Sequence, residues 1–541
     1  MPLEDDLTRK GYLPENLPPT FFADAMADTF GQIGGGDWWS NSSSAVRPAT
    51  YSASKRGLAR RTFAVVHPAT IHDLAKFAAA RWQESCAFFR NTTYSLSCPQ
   101  YTEQGDRAIA ISSHNELETT KLSRLSQYRF IAKTDISRFY HSIYTHSIPW
   151  AFHGKAAAKL DRNPNSENLF FNRADYILRC GQDGQTIGIP VGPDTSRIFA
   201  ETIATAIDVE YQNRCEVQDF GLIRHVDDVW IGANTHADAE HALWRYREAI
   251  REFELDINES KTRIYSSDFQ FSDRWPADLS IQLGTAIDST QYQASERMRA
   301  ALEHAFGMAV SGGDDGVLKY AIRYLDRNDT QWSHWESIEP FLKRALVHFG
   351  HTVDYVTRVI VWRNLAIGDL DKDAWSKILT AIIDRHGRIG NDSEVCWAIY
   401  ACARLELPIG TEAAKNIIAN CGALPIVALL NCIEKGLVKR SVFKIAHERM
   451  RLESARGPFW PVLMEWKTRQ WPKHNELQLE NEVVEEMVGR QAVLFDFERL
   501  PTVFNDVEPD AFSHVSQAIE RRTSVYDEDE EEDDEDEQPD F

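Results

Sequence analysis

Two adjacent carboxylates, Asp227 and Asp228, lie between two apolar, β-favouring runs in the stretch GLIRHVDDVWIGA, residues 221–233. Asp is common in tight turns because its side chain bonds its own backbone, so this pattern also fits an ordinary β-hairpin. Two carboxylates at a hairpin tip bind divalent cations through hard oxygen ligands when a third carboxylate lies beside them. The choice between a plain turn and a metal site therefore depends on a third acid.

Asp135 is the candidate for that third acid. It ends an apolar, strand-like run, FIAKTD, and Tyr140 follows five residues later. Three acids on neighbouring strands can clamp two divalent ions roughly 3.5–4 Å apart, one activating an attacking hydroxyl and one stabilising a leaving pyrophosphate. Asp135, Asp227 and Asp228 are therefore predicted to be the metal ligands of a nucleotidyl-transfer site.

The segments around these acids alternate between strands and helices from about residue 128 to 290, as in an α+β layer. A short basic strand, TFAVVH with the residues before it, precedes them. Its cations are Lys55, Arg56, Arg60 and Arg61. Because charged residues on an edge strand also block aggregation, an unspecialised solvated strand is the alternative. The Gly- and Ser-rich residues 31–54 before it are predicted to form a loop.

The pattern changes between about residues 295 and 500 to short amphipathic helices interrupted by Gly, Pro and Asn. Helix pairs without strands favour a HEAT-like stack, although no consensus repeat is present and an irregular bundle is the alternative. The run DEDEEEDDEDE at residues 527–537 cannot fold against its own repulsion. Residues 506–541 are therefore predicted to be a disordered acidic tail.

The composition excludes several classes of protein. The 541-residue chain is too long for one core, and it has no stretch of about 18 apolar residues that would cross a membrane. An acidic, polar N-terminus and eight cysteines without a CxxC pair predict a reducing, cytoplasmic location. The formal charge of −22 disfavours a nucleic-acid partner, but −10 remains when the eleven acids of 527–537 and Asp540 are set aside.

Four segments, in order along the chain, resemble the motifs of reverse transcriptases over residues 50–290. FIAKTDISRFYHSI resembles motif A, GQTIGIPVGPDTSRIFAE motif B, RHVDDVWIG motif C and LDINESKTRI motif D. LSIQLGTAID lies where the family has its primer-grip hairpin, and the basic strand resembles the fingers segment that binds the incoming triphosphate. The resemblance implies an α+β right-hand polymerase, with fingers and palm of reverse transcriptase type, followed by an all-α, helical-repeat-like domain.

The resemblance also implies domain boundaries. They are 1–127 for an N-terminal extension and fingers, 128–292 for the palm, 293–505 for the α-helical domain and 506–541 for the tail.

Residue roles follow in the same way from the resemblance. Asp135, Asp227 and Asp228 are implied to be catalytic ligands of two Mg²⁺ or Mn²⁺ ions, and Lys261 is implied to neutralise or protonate the leaving pyrophosphate. Tyr140 takes the place of an aromatic steric gate against a ribose 2′-hydroxyl, with plain core packing as the alternative. The implied dNTP-binding residues are Lys55, Arg61, Ile136, Tyr140, Gly188, Pro190 and Gly192.

Three positions depart from the family pattern. His225 replaces the tyrosine that opens motif C, Val191 replaces a common glutamine, and Arg138 stands where retroviral enzymes have an acid. These departures put ordinary processive copying in doubt. The phrases HSIYTHSIPWAFHGK and KGYLPENLPPTFF, together with the helical C-terminal region, are similar to bacterial defence-associated, abortive-infection or unknown-group reverse transcriptases.

Membership of that group implies an RNA-directed or template-poor DNA polymerase of an antiphage system, protein-primed or guided by a non-coding RNA. The partners that it implies are dNTPs, a nucleic-acid template, the DNA product, and a second reverse transcriptase subunit or further copies of the chain. A retron-like enzyme copying one structured RNA is one alternative, and a non-catalytic, polymerase-shaped phage sensor is another. Three intact neighbouring acids argue against the sensor, because a scaffold has no need of them.

Overall fold

The structure is a computed structural model. The residues that it describes are 2–33, 45–55, 59–215, 221–268, 274–289, 291–311, 316–327 and 334–499. Arg56 and the predicted acidic tail lie outside these ranges.

The N-terminal part of the chain combines helices with a β-hairpin. Its elements are α1 (Pro2–Arg9), α2 (Asp24–Ile33), β1 (Ala49–Ser54), β2 (Arg60–Val65), α3 (Pro68–Ala80), α4 (Trp82–Phe89), β3 (Gln100–Tyr101), β4 (Ile109–Ala110) and α5 (His114–Leu125). β1 and β2 pair antiparallel, with Ala49 opposite Val65. The loop predicted for residues 31–54 is therefore wrong over its last six residues, because Ala49, Tyr51 and Ala53 bury one face of a strand.

A four-stranded antiparallel sheet carries the three acids. The elements of this region are β5 (Phe130–Asp135), α6 (Phe139–Ser142), α7 (Ser147–His153), α8 (Lys155–Leu160), α9 (Phe171–Cys180), α10 (Asp194–Arg214), β6 (Leu222–His225), β7 (Asp228–Ala233), α11 (His236–Arg251) and β8 (Arg263–Ser266). The strand order is β6-β7-β5-β8. Helix α11 packs on β5 and β7, while Ile131, Ile223 and Trp230 pack against Leu117 and Leu125 of α5. Cover on both faces explains why β7 is apolar along nearly its whole length.

Three helices follow the sheet and pack on one another. They are α12 (Trp275–Ile287), α13 (Gln291–Ser311) and α14 (Gly316–Arg327). The primer-grip hairpin predicted for LSIQLGTAID is wrong, because this segment lies in α12. Leu279, Leu283 and Ala286 have helical spacing and are all buried, so a single helical face packs inward. The boundary predicted between residues 292 and 293 falls inside α13.

The C-terminal part of the described chain is built from helices. They are α15 (Trp335–His348), α16 (Val353–Ala366), α17 (Lys372–Arg388), α18 (Asp392–Leu405), α19 (Thr411–Asn420), α20 (Ala423–Glu434), α21 (Val442–Met450), α22 (Trp460–Thr468) and α23 (Glu482–Gly489), with 3₁₀ turns at Gly350–Thr352 and His474–Glu476. Helices α16, α18, α20 and α22 pack in one layer, and α17, α19 and α21 in a second. Two layers of alternate helices are typical of stacked helix pairs, while the HEAT-like repeat itself stays a prediction. Among the described helices, none is both long and apolar enough to cross a bilayer.

We expect stability to fall in mild acid because of His67, which caps α3. Its Nδ1 accepts from the Ala69 amide at 3.3 Å, and its Nε2 lies 3.2 Å from the Ala455 carbonyl oxygen. Burial lowers the pKa of His67 from 6.5 to about 3, so between these values only the unfolded chain is protonated at this ring. The free energy of unfolding therefore drops as the pH falls through this window, by about 2 kcal/mol between neutral pH and pH ~5.

Denaturant titrations of the wild type and of His67→Gln at both pH values measure this effect. Between neutral pH and pH ~5, the free energy of unfolding should fall by about 2 kcal/mol less in the variant than in the wild type. Equal pH dependence in the two proteins would show that this histidine is not the group responsible.

Candidate active site

The three acids meet at one end of the central sheet. Asp135, the last residue of β5, lies opposite Asp228, the first residue of β7. Asp227 occupies the turn between β6 and β7, and its carbonyl oxygen accepts from the Ile136 amide at 3.0 Å. The Asn258 amide donates to the Asp135 carbonyl oxygen at 2.7 Å. The predicted hairpin is thus present, and the backbone bonds on both sides of Asp135 fix the strand end that carries it.

Burial and the crowding of like charges perturb the pKa of Asp227. Burial, together with the carboxylates of Asp228 and Asp135, raises the pKa of Asp227 to about 6. Lys261 opposes this rise, since its ammonium group donates to Oδ2 of Asp135, and the same bond raises the pKa of Lys261. The Asp135 side chain is 4% exposed and that of Lys261 51%, so the lysine approaches the acids from the solvent side. A further cation at this cluster would relieve the remaining repulsion.

The donor chemistry of the cluster fits a hard divalent cation. Carboxylate oxygens are the ligands that Mg²⁺ prefers, and the raised pKa of Asp227 reflects its burial and the negative charge of its two neighbours. The side chains are not yet arranged as ligands: within the described ranges, no three His, Cys, Asp or Glu side chains are spaced to hold a metal ion. Lys261 is bonded to Oδ2 of Asp135, so a cation at that oxygen would have to displace the lysine, whereas Oδ1 has no such bond to the lysine. Metal binding by Asp135, Asp227 and Asp228 stays a prediction.

The turn between β6 and β7 is strained and is supported from the protein interior. Val226 has a φ of 54°, a left-handed conformation that is rare for a β-branched residue. Its amide donates to Ser97 Oγ at 2.7 Å, and its carbonyl oxygen accepts from Arg224 at 3.3 Å. The fully buried Arg224 also donates to Glu201 at 2.8 and 2.9 Å and to Asp208 at 2.9 Å. This support could not be predicted from the hairpin sequence, because Glu201 and Asp208 come from α10.

The acids line a cleft of about 940 Å³. The predicted site residues that line it are Lys55, Arg61, Asp135, Tyr140, Gly192, Asp227, Asp228 and Lys261. The predicted residues that do not line it are Ile136, Gly188 and Pro190, all of which are buried. Cleft residues to which the sequence analysis gave no substrate role include Arg138, Arg197, Glu201 and Asn258. Of these four residues, only Arg138 carried a signal in the sequence, because it departs from the family pattern.

The basic residues of the cleft differ in their bonding. Arg60 donates to both carboxylate oxygens of Glu394 in α18, at 2.8 and 2.9 Å. Lys55 and Arg61 line the cleft from the β1–β2 hairpin, and Arg138 lines it from the start of α6, with a left-handed φ of 48°. The cleft thus combines acids that suit a metal ion with cations that suit phosphate oxygens.

Two glycines shape the segment before α10. Gly188 has a φ of 89°, and its amide donates to the Ile143 carbonyl oxygen at 2.7 Å. Gly192 has a φ of 130°, and a Cβ there would lie 2.9 Å from Pro14 Cγ and 3.3 Å from the Ala64 carbonyl oxygen. Both positions need glycine for their backbone conformation. The close approach is to protein groups, so the predicted approach to a nucleotide stays a prediction.

Gly192→Ala is expected to lower the free energy of unfolding by about 1–3 kcal/mol, because the new methyl group meets Pro14 and the left-handed backbone becomes strained. Gly307→Ala is the matched control. Gly307 lies inside α13 with open space around it, so alanine there should stabilise the protein by about 0.5–1 kcal/mol. Chemical denaturation measures both variants, and an equally stable Gly192→Ala protein would contradict the strain.

Tyr140 lies in α6 on the cleft wall and is half-buried. Desolvation raises the pKa of Tyr140 to about 12, so the phenol is neutral at physiological pH. Its carbonyl oxygen accepts from the Ile189 amide at 2.8 Å, which ties α6 to the segment before α10. The ring lines the cleft and also packs against the core, so both the steric gate and core packing stay predictions for this residue.

A comparison with protein families decides the nature of this region. Residues 76–289 match the family model described as reverse transcriptase (RNA-dependent DNA polymerase). These residues form a reverse transcriptase domain. The domain begins within α3 and includes Asp135, Asp227, Asp228 and Lys261, whereas the β1–β2 hairpin and the helices from α13 onwards lie outside the matched residues. No curated protein sequence matches the chain.

Solved structures similar to this reverse transcriptase domain and its flanks include three of telomerase. Apo telomerase from Candida tropicalis without its C-terminal domain has 14% identity and a TM-score of 0.30, covering 42% of this chain and 51% of its own. The apo Candida tropicalis telomerase has 11% identity and a TM-score of 0.31, with coverage of 77% and 69%. Candida albicans telomerase with a TWJ fragment of telomeric RNA has 12% identity and a TM-score of 0.29, with coverage of 66% and 64%. The present chain thus spans about half of the first relative's length, and likenesses at this level carry no functional conclusion.

Proposed function

We propose that this chain is a DNA polymerase that transfers nucleotides from dNTPs to a growing strand. One observation carries the proposal: the clustered acids of a reverse transcriptase domain share a single cleft with Lys55 and Arg61. Carboxylates suit hard cations, and arginine suits the oxygens of a triphosphate, to which it can bond in a bidentate manner. A metal-bound triphosphate is the substrate that matches both sets of groups.

The reaction that this cleft suits is attack of a hydroxyl oxygen on the α-phosphate of a dNTP. A new P–O bond forms to that oxygen, the bond to pyrophosphate breaks, and the hydroxyl proton passes to solvent or a nearby base. Bound Mg²⁺ or Mn²⁺ would supply an activated hydroxyl and charge stabilisation of the leaving group. Asp135, Asp227 and Asp228 would hold the ions, while Lys55 and Arg61 would bind the triphosphate.

Lys261 would assist departure of the pyrophosphate. Its bond to Asp135 raises its pKa, so the ammonium form is maintained at physiological pH. Half of its side chain is exposed, which leaves it room to turn from Asp135 towards the substrate. It would then neutralise the pyrophosphate or give it a proton.

Tyr140→Ala is expected to lower the preference for dNTPs over ribonucleotides about ten- to a hundredfold, because a smaller side chain leaves room for the 2′-hydroxyl. Tyr140→Phe is the matched control, since it keeps the ring and should keep the preference. The measurement is the ratio of kcat/KM for a dNTP and its ribonucleotide. A preference unchanged in the alanine variant would assign the residue to packing.

The proposed setting is antiphage defence, with synthesis that is RNA-directed or template-poor and is primed by a protein hydroxyl or guided by a non-coding RNA. The helices of the described residues 335–499 support it, because a helical C-terminal region is part of the resemblance to defence-associated reverse transcriptases. The N-terminal segment is an integral part of the fold, since the buried Tyr12 hydroxyl donates to the Val66 carbonyl oxygen at 2.6 Å. His225 lines the cleft where the family has a tyrosine, and this replacement supports unusual primer handling.

The test is incubation of purified protein with Mg²⁺ and each labelled dNTP, beside an Asp227→Ala, Asp228→Ala double variant. Product from the wild type alone is expected. Product made without added nucleic acid that runs with the protein on a denaturing gel would favour protein priming. Product that requires an added structured RNA would favour a retron-like enzyme.

The phage-sensor alternative is tested in cells challenged with phage. The double variant should lose defence if polymerisation is required, and equal defence by both proteins would refute the enzymatic role. Self-association or a second reverse transcriptase subunit is also proposed. The molar mass of the purified protein in solution measures self-association, and co-purification of another polypeptide with the chain measures the second subunit.

A further inference from the structure

The β1–β2 hairpin, which carries Lys55 and Arg61, is anchored to the helical C-terminal part of the chain. β1 packs against α18 and α20. The Asp392 carboxylate accepts from the Ser52 amide in β1 at 2.9 Å and from the Gly422 amide at 2.8 Å. One buried side chain at the start of α18 thus joins a strand of the hairpin to the beginning of α20.

Glu394, one helical half-turn further, anchors both strands. Its two carboxylate oxygens accept from the Arg60 guanidinium of β2 at 2.8 and 2.9 Å, and one also accepts from Ser54 Oγ of β1 at 2.7 Å. Arg60 in turn donates to Ser52 Oγ at 2.6 Å. The Glu394 side chain is 1% exposed. Burial raises the pKa of Glu394, but the bonds from Arg60 and Ser54 outweigh this effect and hold it below its ordinary value.

Because of this anchor, the cations of the hairpin have different roles. The charge of Arg60 is neutralised by Glu394, whereas in the described part of the chain no ion pair joins Lys55 or Arg61 to a carboxylate. Successive side chains of a strand point to opposite faces, so fixing Arg60 on one side also fixes the direction of Arg61.

We propose that Glu394 and Asp392 are positioning residues for nucleotide binding, which hold the hairpin so that Lys55 and Arg61 line the cleft. This inference rests on the proposed function. It makes the helical part of the chain a component of the nucleotide site, although none of its residues lines the cleft.

The direction in which Glu394→Gln changes nucleotide affinity distinguishes positioning of the hairpin from a simple effect of charge. Glu394→Gln leaves Arg60 beside the cleft without its carboxylate partner, and extra positive charge by itself would tighten binding of a triphosphate. Loss of the anchor predicts the reverse, a weakening of about tenfold. Arg60→Met removes the anchor without adding charge and should weaken binding to a similar extent.

The experiment uses the full chain, Mg²⁺ and an α,β-imido dNTP, which binds but cannot release pyrophosphate. Equilibrium dissociation constants are measured for the wild type, Glu394→Gln and Arg60→Met. Asp369→Asn is the matched control, because Asp369 forms a similar bidentate pair with Arg363, at 2.7 and 2.6 Å, away from the hairpin. Amide hydrogen exchange of β1 and β2 is followed in the same proteins, as it reports the anchor whether or not a nucleotide binds.

Faster exchange in the hairpin together with a dissociation constant about tenfold higher is expected for both anchor variants, with neither change in the control. Unchanged exchange in Glu394→Gln would overturn the anchor. Faster exchange with equal or tighter nucleotide binding would overturn the positioning role. Absence of binding by the wild type would instead refute the proposed function, and the exchange rates would still decide whether α18 holds the hairpin.

Discussion

Replacing Asp227 by asparagine is expected to reduce nucleotide incorporation on the order of a thousandfold while leaving the protein at least as stable as the wild type. The loss of activity follows from removal of a carboxylate that the proposed reaction needs for its cation. The retained stability follows from the cost of ionising this group, since burial and the carboxylates of Asp228 and Asp135 raise the pKa of Asp227 to about 6. Incorporation of labelled dNTPs and thermal unfolding at neutral pH measure the two effects.

The pH dependence of the difference in stability provides a further check. Because the folded-state pKa of Asp227 lies above its ordinary value of 3.8, the folded protein binds the proton more tightly, and the cost of the ionised form disappears as the pH falls through about 6. The advantage of Asp227→Asn should therefore shrink in acid. Asp373→Asn, at an exposed position of α17, is the control and should change neither activity nor stability by more than about 0.5 kcal/mol. An Asp227→Asn enzyme with near-normal activity would disprove the role of this carboxylate.

The centre of the site could be predicted from local sequence because it is made by local structure. Asp227 and Asp228 follow one apolar run and precede another, which predicts a hairpin, and Asp135 ends a third such run. The register that places Asp135 opposite Asp228 follows once the strands pair, because their buried faces must coincide.

Predictions of secondary structure were wrong where a sequence pattern fits both a strand and a helix, or where tertiary packing determines which of them forms. LSIQLGTAID alternates like a strand over its first residues, and only the burial of Leu279 with Leu283 and Ala286 selects the helix. The richness of residues 31–54 in Gly and Ser predicts a loop, yet pairing of β1 with β2 and its contact with α18 and α20 make residues 49–54 a strand.

The supports of the site were hidden because their partners are distant in sequence. Arg60 and Glu394 are separated by 334 positions, and a single sequence contains no signal that joins them. Arg224 is a comparable case, since an arginine next to a hairpin turn is normally exposed to solvent. Its burial depends on two acids of α10 that become neighbours only in the folded chain.

Arg224→Met is expected to lower the free energy of unfolding by about 3–5 kcal/mol, because it leaves Glu201 and Asp208 buried without their cation. All three side chains are at least nine-tenths buried, so solvent cannot replace the guanidinium. Arg224→Lys should recover little of the loss, since one ammonium group cannot reproduce the paired bonds to Glu201 and the bond to Asp208. Chemical denaturation of the two variants and the wild type measures the differences.

The pH dependence of that loss identifies its cause. Burial raises the pKa of Asp208 to about 7 even with Arg224 present, and removal of the guanidinium raises it further. Protonation of the buried acids then stabilises the folded variant, so its deficit should be larger at pH ~8 than at pH ~6. Arg214→Met, which removes a half-exposed partner of Glu210 at the end of the same helix, should cost no more than about 1 kcal/mol at either pH. A loss of unfolding free energy in Arg224→Met that does not change with pH would indicate lost packing. A small loss would show that the acids are solvated.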